Sequence, residues 1–360
     1  MRVPRNQWYP VLESREVKRK PLGVERLGQR LVFWRDAEGR VHAHPDRCPH
    51  LGAALSSGRV VGQHLVCPFH GFEFASNGDC RHIPANGRQG KIPGGLRLPP
   101  YVLREAHDLI WLWWGTPSVE YPPLPYFPVL EGRWRQGTVT AEWPVHYTRA
   151  IENQLDVAHL PFVHRTTIGA GGRSRVEGPY VEANDQGIQV WVTNTRDTGQ
   201  PARDQSALAR AAKDCEPGLS FLFPACWLLN ISPKLKIFVA FVPIHEHRTR
   251  FYLRSYHQVL VPGLAQLYEW LLGLGNRWIL SQDQRVVTTQ TPANSLDARD
   301  DCLIGADRAI AAFRRLQARL LKRGELGATP DHPMPVTPPA TPSPSEPGNP
   351  RDTAAIQPSG

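Results

Sequence analysis

The chain contains 360 residues with a formal net charge of +9, and 41% of its residues are hydrophobic. Because single hydrophobic cores stop growing at roughly 250–300 residues, this length predicts two domains. The Lys and Arg residues are dispersed, which excludes the long basic arm of many nucleic-acid-binding proteins. No stretch reaches the ~18 apolar residues of a membrane span, and no apolar leader follows Met1, so we expect a cytoplasmic protein. Contact with the surface of a membrane stays open.

Residues 1–118 have the pattern of a small all-β domain. Apolar and β-branched residues predict strands at 30–35, 40–43 and 109–114, with turns that contain Gly and Asn between them. A Pro-rich stretch at 117–128 then predicts a domain boundary. Six cysteines at uneven spacing indicate metal ligands and buried thiols before disulfides.

Residues 119–325 predict a second domain, in which strands are followed by long helices. Strands are expected near 187–195, 219–231, 236–243 and 249–261, and helices over 264–290, with a Gly-rich interruption, and over 303–322. This order indicates an α+β fold. Residues 326–360 are rich in Pro, Ser and Thr and have few core-forming residues, so we expect a disordered tail.

Two short motifs in the first domain combine cysteine and histidine. They are C-P-H at 48–50 and, after sixteen intervening residues, C-P-F-H at 67–70, and their candidate ligands are Cys48, His50, Cys67 and His70. Two loops that each supply one sulfur and one nitrogen can converge on one metal site. Thiolates on one iron and imidazoles on the other would hold a [2Fe–2S] cluster of raised reduction potential. The same four donors also suit tetrahedral zinc, although this spacing is unusual for zinc modules.

A second constellation lies at the start of the second domain. Asn153, Asp156 and His159 are spaced i, i+3 and i+6, which predicts one shared helix face. Pro161 opposes an unbroken helix, so the chain can bend and bring His164 beside His159. Two imidazoles and one carboxylate can hold Fe(II) on one side and leave the opposite side open.

Together these motifs resemble the terminal oxygenase, or alpha, component of the Rieske non-haem iron oxygenases. The resemblance covers nearly the whole chain before the tail and is nearest to the branch of the vanillate and dicamba demethylases and pheophorbide a oxygenase. It implies an N-terminal Rieske [2Fe–2S] domain and a helix-grip (START-like) catalytic domain with an antiparallel sheet. By this resemblance His159 and His164 bind a mononuclear Fe(II), Asp156 bridges to the cluster of a neighbouring subunit, and Asn153 supports the site.

The third iron ligand must come from far downstream in the chain. The family pattern there is an acidic pair, then hydrophobic residues, then Gln, and residues 281–290 read S-Q-D-Q-R-V-V-T-T-Q. The resemblance therefore implies Asp283 as the ligand, with Gln282 in place of the usual Glu. Asp297, Asp300 and Asp301 are competitors, but their position before the last helix favours a solvated or helix-capping role.

The resemblance implies a monooxygenase that uses O2 to hydroxylate or oxidatively demethylate its substrate. No Gly-rich nucleotide-binding fingerprint follows a strand, so electrons from NAD(P)H would arrive through a separate ferredoxin or flavin reductase. Such donors are commonly acidic, and Arg47, Arg81 and Lys91 near the cluster loops are candidate contacts, or else ordinary surface charge. A head-to-tail homotrimer is also implied, in which the cluster of one subunit serves the iron of the next.

The apolar residues of the predicted strands indicate a bulky apolar or aromatic substrate, bound between the sheet and the iron helix. The residues expected around this pocket are Phe221, Phe223, Trp227, Leu229, Phe238, Phe241, Phe251 and Tyr252. Two rival functions are a Rieske-type electron carrier and a hydrophobic-ligand-binding module with a zinc site. The carrier would need only the first domain, and the binding module leaves the second constellation without a purpose.

Overall fold

The computed structural model describes residues 1–201 and 205–326 and has a mixed α+β architecture. Apart from its first residue, the tail predicted at 326–360 lies outside the described residues. Among the helices of the described ranges, none is long and apolar enough to cross a membrane.

The N-terminal part folds into three small antiparallel sheets, with strand orders β1-β10-β9, β2-β3-β4 and β5-β6-β7-β8. Their bounds are β1 (Gln7–Glu13), β2 (Leu22–Arg26), β3 (Gln29–Arg35), β4 (Val41–Pro45), β5 (Arg59–Val61), β6 (His64–Val66), β7 (Glu73–Phe74), β8 (Cys80–His82), β9 (Leu103–Ala106) and β10 (Leu109–Trp114). The strands predicted at 30–35, 40–43 and 109–114 are confirmed as β3, β4 and β10. The two Cys/His motifs lie in the loops that follow β4 and β6.

The C-terminal part is built on one antiparallel sheet of seven strands, in the order β11-β17-β16-β15-β14-β13-β12. Its strands are β11 (Arg135–Trp143), β12 (Arg175–Ala183), β13 (Gly187–Thr195), β14 (Leu219–Leu222), β15 (Cys226–Ser232), β16 (Leu235–His245) and β17 (Arg248–His257). The helices are α1 (Tyr147–Leu155), α2 (Leu160–Val163), α3 (Gln205–Ala212), α4 (Leu264–Val287) and α5 (Arg308–Leu326). Strands β11 and β12 were not predicted, because their apolar residues do not stand out from their polar neighbours.

Three predictions for the second domain are wrong in detail. The strand expected over 219–231 is a hairpin of β14 and β15, because the chain reverses at Pro224 and pairs Leu222 with Cys226. The helix expected over 264–290 with an interruption at its glycines is instead continuous, as α4. Gly273 lies where α4 packs against Val139 of β11. The last helix begins at Arg308, five residues later than expected.

The seven-stranded sheet is buried on both faces. One face packs against α1, α4 and α5, and its aromatic core includes Phe221 and Phe313, whose ring centroids are 5.6 Å apart. The opposite face packs against Trp8 of β1 and Trp111 of β10. Phe238 and Tyr252, which we expected near the substrate pocket, belong to this second face. Because side chains alternate between the two faces of a strand, these two residues point away from the helices. They lie where the N-terminal part of the chain packs against the seven-stranded sheet.

Candidate active site

The two cluster loops place sulfur and nitrogen at different depths. The side chains of Cys48 and Cys67 are buried and lie within hydrogen-bonding distance of each other, and neither forms a disulfide. His50 and His70 are exposed, and their ring centroids are 4.8 Å apart. Phe72 stacks on the His50 ring at a centroid distance of 4.8 Å. The four side chains therefore form a buried thiol pair beneath an exposed imidazole pair.

Both loops are built on the same turn. The N–H of Gly52 donates to the carbonyl of Cys48 at 2.9 Å, and the N–H of Gly71 donates to the carbonyl of Cys67 at 3.1 Å. The two glycines have φ values of +78° and +71°, in the left-handed region that side chains other than Gly rarely adopt. Each cysteine and its histidine are thereby held on a loop of fixed shape.

The thiol pair has the chemistry of a metal-binding site. The N–H groups of His50 and Leu51 point at the sulfur of Cys48, while burial outweighs them and raises the pKa of that thiol. A free thiolate is thus disfavoured at this depth, and a cation bound to both sulfurs would offset the cost of the charge. Two adjacent thiols and two adjacent imidazoles fit a [2Fe–2S] cluster whose irons differ in ligand type.

The segment after α1 does not form the helix that we expected. Asn153 lies in α1, but the helix ends at Leu155, and Asp156 has extended dihedral angles. The Asp156 carboxylate accepts the N–H of Ala158 at 2.7 Å and the N–H of His159 at 3.3 Å. This local capping competes with the continuing helix and turns the chain. The prediction that Asn153, Asp156 and His159 share one helix face is therefore wrong.

A short second helix then positions the two histidines. His159 immediately precedes α2, Pro161 lies in its first turn, and His164 immediately follows it. Proline is favoured at this position, since the first helical N–H groups have no partner within the helix. The expected bend is present, although Pro161 begins a helix rather than ending one. The two imidazole centroids are 5.2 Å apart.

Asp283 of α4 completes a group of three possible ligands with His159 and His164. The ligand atoms of the three side chains all lie within 4.8 Å of one another. Oδ1 of Asp283 is 2.9 Å from Nε2 of His164 and 3.5 Å from Nε2 of His159. Ligands at about 2.1 Å from one metal ion lie about 3 Å apart when adjacent, so these separations suit a shared ion.

The burial of the three side chains also fits a metal ion. His164 is 1% exposed and Asp283 is 3% exposed, and within residues 1–201 and 205–326 Oδ1 of Asp283 has no well-directed hydrogen bond. Burying an unpartnered carboxylate oxygen is costly unless a cation or a donor satisfies it. Burial lowers the pKa of His164, but Asp283 and Gln282 outweigh this effect and raise it.

Asp156 lies on the outer side of the His159 ring. Its Oδ2 is 3.6 Å from Nδ1 of His159, and Nε2 of the same ring faces Asp283. Burial raises the pKa of Asp156, but His159 and two backbone N–H groups outweigh it, and the pKa falls below its ordinary value. The carboxylate remains 29% exposed, so part of it is open to another molecule. Nδ2 of Asn153 is buried and has no hydrogen-bond partner among the residues that the structure describes.

A cavity of about 390 Å³ borders Asp156 and His159. Its walls come from α1, the end of α4 and the segment before α5, and an ion network links Arg149, Glu152 and Arg314 across it. The competitor Asp301 belongs to this network and contacts Arg314 at 2.7 Å, and its side chain is 32% exposed, which fits the expected solvated role and not helix capping. The network was not predicted, because its members are up to 165 residues apart and have no motif spacing.

Comparisons with known proteins assign both halves of the chain. Residues 7–101 match the Rieske [2Fe-2S] domain family, and residues 143–323, half of the chain, match the family of the vanillate O-demethylase oxygenase C-terminal domain. The chain belongs to the Rieske oxygenases. Its two matched domains carry a [2Fe–2S] cluster and a mononuclear iron, respectively. The family match favours the cluster over the zinc site.

Several curated relatives are similar to this chain over part of their length. The oxygenase component of dicamba O-demethylase from Stenotrophomonas maltophilia is 34% identical over 49% of this chain and 52% of the relative. The vanillate O-demethylase oxygenase subunit of Pseudomonas sp. (strain HR199 / DSM 7063) is 33% identical over 49% and 51%. The 4beta-methylsterol monooxygenase of Methylococcus capsulatus (strain ATCC 33009 / NCIMB 11132 / Bath) is 36% identical over 44% of each chain. The matched segments thus span about half of each of these relatives.

Solved structures support the fold over a longer range. The structure of dicamba monooxygenase bound to dicamba has a TM-score of 0.73 at 23% identity and covers 89% of this chain and 98% of its own. Pseudomonas putida CBB5 NdmA has a TM-score of 0.71 at 22% identity, with coverages of 89% and 92%. These matches confirm the two-part architecture with a large antiparallel sheet.

Proposed function

We propose that this chain is a terminal oxygenase that uses O2 and electrons from a separate reductase to hydroxylate or oxidatively demethylate a bulky apolar or aromatic substrate. The observation that carries the proposal is the convergence of His159, His164 and Asp283 in a chain that also has a Rieske domain. Two histidines and one carboxylate are the ligand set of non-haem Fe(II) oxygenases. When bound, iron at this triad supplies oxygen activation, and the cluster supplies the electrons.

In the first domain, Cys48 and Cys67 would bind the inner iron of the cluster, and His50 and His70 would bind the outer one. The buried thiols keep the inner side dry, while the exposed imidazoles bring the outer side to the protein surface. Electron exchange requires such an approach to the surface. Neutral imidazoles also leave less negative charge around the reduced cluster than thiolates would.

Asp156 is the residue best placed to connect the two metal centres. Its Oδ2 lies 3.6 Å from Nδ1 of His159 and its side chain is partly exposed, so this oxygen can accept a second hydrogen bond from a histidine of another subunit. We therefore propose a head-to-tail homotrimer, in which His50 or His70 of one subunit approaches Asp156 of the next. Asn153 would support the site through its buried amide, which borders the same cavity.

The electron donor would be a ferredoxin or a flavin reductase that draws on NAD(P)H. Arg47, Arg81 and Lys91 are exposed on the cluster domain and could attract an acidic donor. For the substrate, relatives named as demethylases of vanillate and dicamba and as a methylsterol monooxygenase support a bulky molecule with a methyl group. Hydroxylation of that methyl group would precede its loss.

Anaerobic purification of the full chain tests the proposal. We expect about three irons per chain, two in the cluster and one at the triad, together with the visible absorption and reduced-state paramagnetic signal of a Rieske cluster. Cys48→Ser should remove the absorption, and His164→Ala should remove only the third iron. His247→Ala, at an exposed histidine away from both sites, should keep both.

Activity is then measured with an added reductase, labelled dioxygen and a panel of methoxyaromatic compounds and methylsterols. We expect label in the product and the loss of turnover in His164→Ala. A chain that held the cluster but consumed no oxygen with any substrate, and bound no third iron, would be an electron carrier instead. A colourless chain that bound zinc would contradict the whole proposal.

A further inference from the structure

His164, the more buried of the two triad imidazoles, has a hydrogen bond on the ring nitrogen that does not face Asp283, and the partner is a residue that departs from the family pattern. Nδ1 of His164 is 2.8 Å from Oε1 of Gln282, on the side of the ring opposite Asp283. The hydroxyl of Thr167 lies 3.2 Å from the same amide oxygen and 3.3 Å from the carbonyl of His164. His164 is thus held between a carboxylate on one ring nitrogen and an amide on the other.

We propose that Gln282 is a positioning residue that fixes the tautomer and the orientation of His164 for metal binding. An amide oxygen can only accept a hydrogen bond, so Nδ1 of His164 must carry the proton. The lone pair then lies on Nε2, the nitrogen that faces Asp283 and the shared ligand position. Metal-binding histidines almost always have such a partner on the second nitrogen.

The position of Gln282 on α4 explains how this helix supplies both the carboxylate ligand and the amide that orients His164. Gln282 and Asp283 are adjacent, so their side chains leave the helix about 100° apart and reach opposite nitrogens of the same ring. The Thr167 hydroxyl donates toward the amide oxygen from the turn after α2. The oxygen of Gln282 is therefore directed at the imidazole, and its amide nitrogen points elsewhere. This contact therefore depends on the relative position of α4 and the turn after α2.

The amide also differs from the usual acidic residue in charge. Gln282 provides the hydrogen bond without adding a negative charge beside the ligand set, which already contains Asp283. A carboxylate at position 282 would make the imidazole a stronger donor to a cation. This chain should therefore bind Fe(II) less tightly than its own Gln282→Glu variant, while a variant without an acceptor should bind much more weakly than either.

The inference rests on the proposed iron site and is tested by metal affinity rather than turnover. The mononuclear iron is removed anaerobically with a chelator while the cluster is retained, and Fe(II) is then titrated into the full chain. We expect Gln282→Leu to weaken Fe(II) binding about 10- to 100-fold and Gln282→Glu to bind Fe(II) more tightly than the original chain. Thr167→Val should have a smaller effect, because it removes only support for the amide.

Gln284→Leu is the matched control, since Gln284 lies on the same helix but has no hydrogen bond to the triad among the described residues. It should retain the original affinity. The nitric oxide complex of the bound Fe(II), measured by paramagnetic resonance with the cluster oxidised, should change symmetry in Gln282→Leu and not in Gln284→Leu. If Gln282→Leu does not fold, as judged from its cluster absorption, Gln282→Met replaces it in the same titration.

The two proposals fail in different ways. If the original chain binds no Fe(II), the proposed iron site is wrong. If the original chain binds Fe(II) and both Gln282→Leu and Gln282→Glu bind it equally well with an unchanged nitric oxide signal, only the role of Gln282 is refuted. Equal weakening by Leu and Glu would also refute it, since a shared packing effect and not the hydrogen bond would then be the cause.

Discussion

The buried ion network beside the candidate iron site should make a large contribution to stability. The carboxylate of Glu152 in α1 accepts hydrogen bonds from Nε and Nη2 of Arg314 at 2.7 and 3.0 Å and from Nη1 of Arg149 at 3.2 Å. The side chains of Glu152 and Arg149 are each only 5% exposed. Replacing Glu152 with Ala leaves the buried guanidinium of Arg149 with one carboxylate partner, Asp301, at 3.3 Å. The network ties α1, which carries Asn153, to α5.

The size of the effect follows from burial rather than from the number of contacts. Removing one partner of a buried pair leaves an uncompensated charge and typically costs about 3–5 kcal/mol. Asp185 provides a matched comparison, since it also contacts two guanidinium groups, those of Arg319 and Arg323, at 2.9 and 2.8 Å. Its side chain is 50% exposed, so solvent screens these pairs and their loss should change stability little.

The assay is chemical denaturation of the chain loaded with cluster and iron, followed by circular dichroism. We expect Glu152→Ala to lower the free energy of unfolding by about 3–5 kcal/mol and Asp185→Ala to leave it nearly unchanged. Glu152→Gln should fall between the original chain and Glu152→Ala, because it keeps an acceptor without the charge. Equal effects of Glu152→Ala and Asp185→Ala would refute the reasoning from burial.

Three further outcomes are expected. Asp156→Asn keeps the oxygen that caps the turn, so iron analysis should find both metal centres filled while oxygen consumption is lost. Gly169→Ala places a Cβ 1.9 Å from a backbone carbonyl and should weaken Fe(II) binding at least about tenfold, whereas Gly275→Ala, with open space around it, should retain binding and add up to about 1 kcal/mol of stability. The guanidinium groups of Arg314 and Arg149 lower the pKa of Asp301 more than burial raises it. The stability that the Asp301 carboxylate contributes is therefore complete above its unfolded pKa of about 3.9 and is lost as the pH falls through its folded pKa. Asp301→Asn should make the free energy of unfolding depend less on pH in this acidic range.

The cluster loops show how much of this protein is determined by local sequence. Each loop is a single tight turn that ends in a glycine of positive φ, so Cys48 and His50, or Cys67 and His70, are fixed by a few consecutive residues. The convergence of the two loops follows from neighbouring hairpins. A pattern of cysteine, histidine and glycine is therefore enough to propose Cys48, His50, Cys67 and His70 together as candidate cluster ligands.

The iron site was only partly predictable for the same physical reason. His159 and His164 are close in sequence, and the bend between them follows from a proline and a short helix. The chain reversal at Asp156 was not predicted. The Asp156 carboxylate accepts hydrogen bonds from the backbone that follows it, and this competes with continuation of the helix. The energy difference between the two arrangements is too small to be recognised from residue spacing. Asp283 is implied as a ligand only by the family resemblance. The packing of α4 against α2 brings its Oδ1 to 2.9 Å from Nε2 of His164.

What the sequence alone determined is the set of groups with local signals: the cluster motifs, the central strands, the long helices and the identity of most candidate ligands. Contacts between distant segments became visible only in the folded chain. They include the hydrogen bond between Gln282 and His164, the burial of Glu152 between two arginines, and the division of the strand aromatics between two faces. The physical reason is that turns and periodic burial are encoded over a few residues, whereas ion pairs and second contacts to ligands depend on how whole elements pack. Sequence spacing has no information about which of many polar residues will meet across a core.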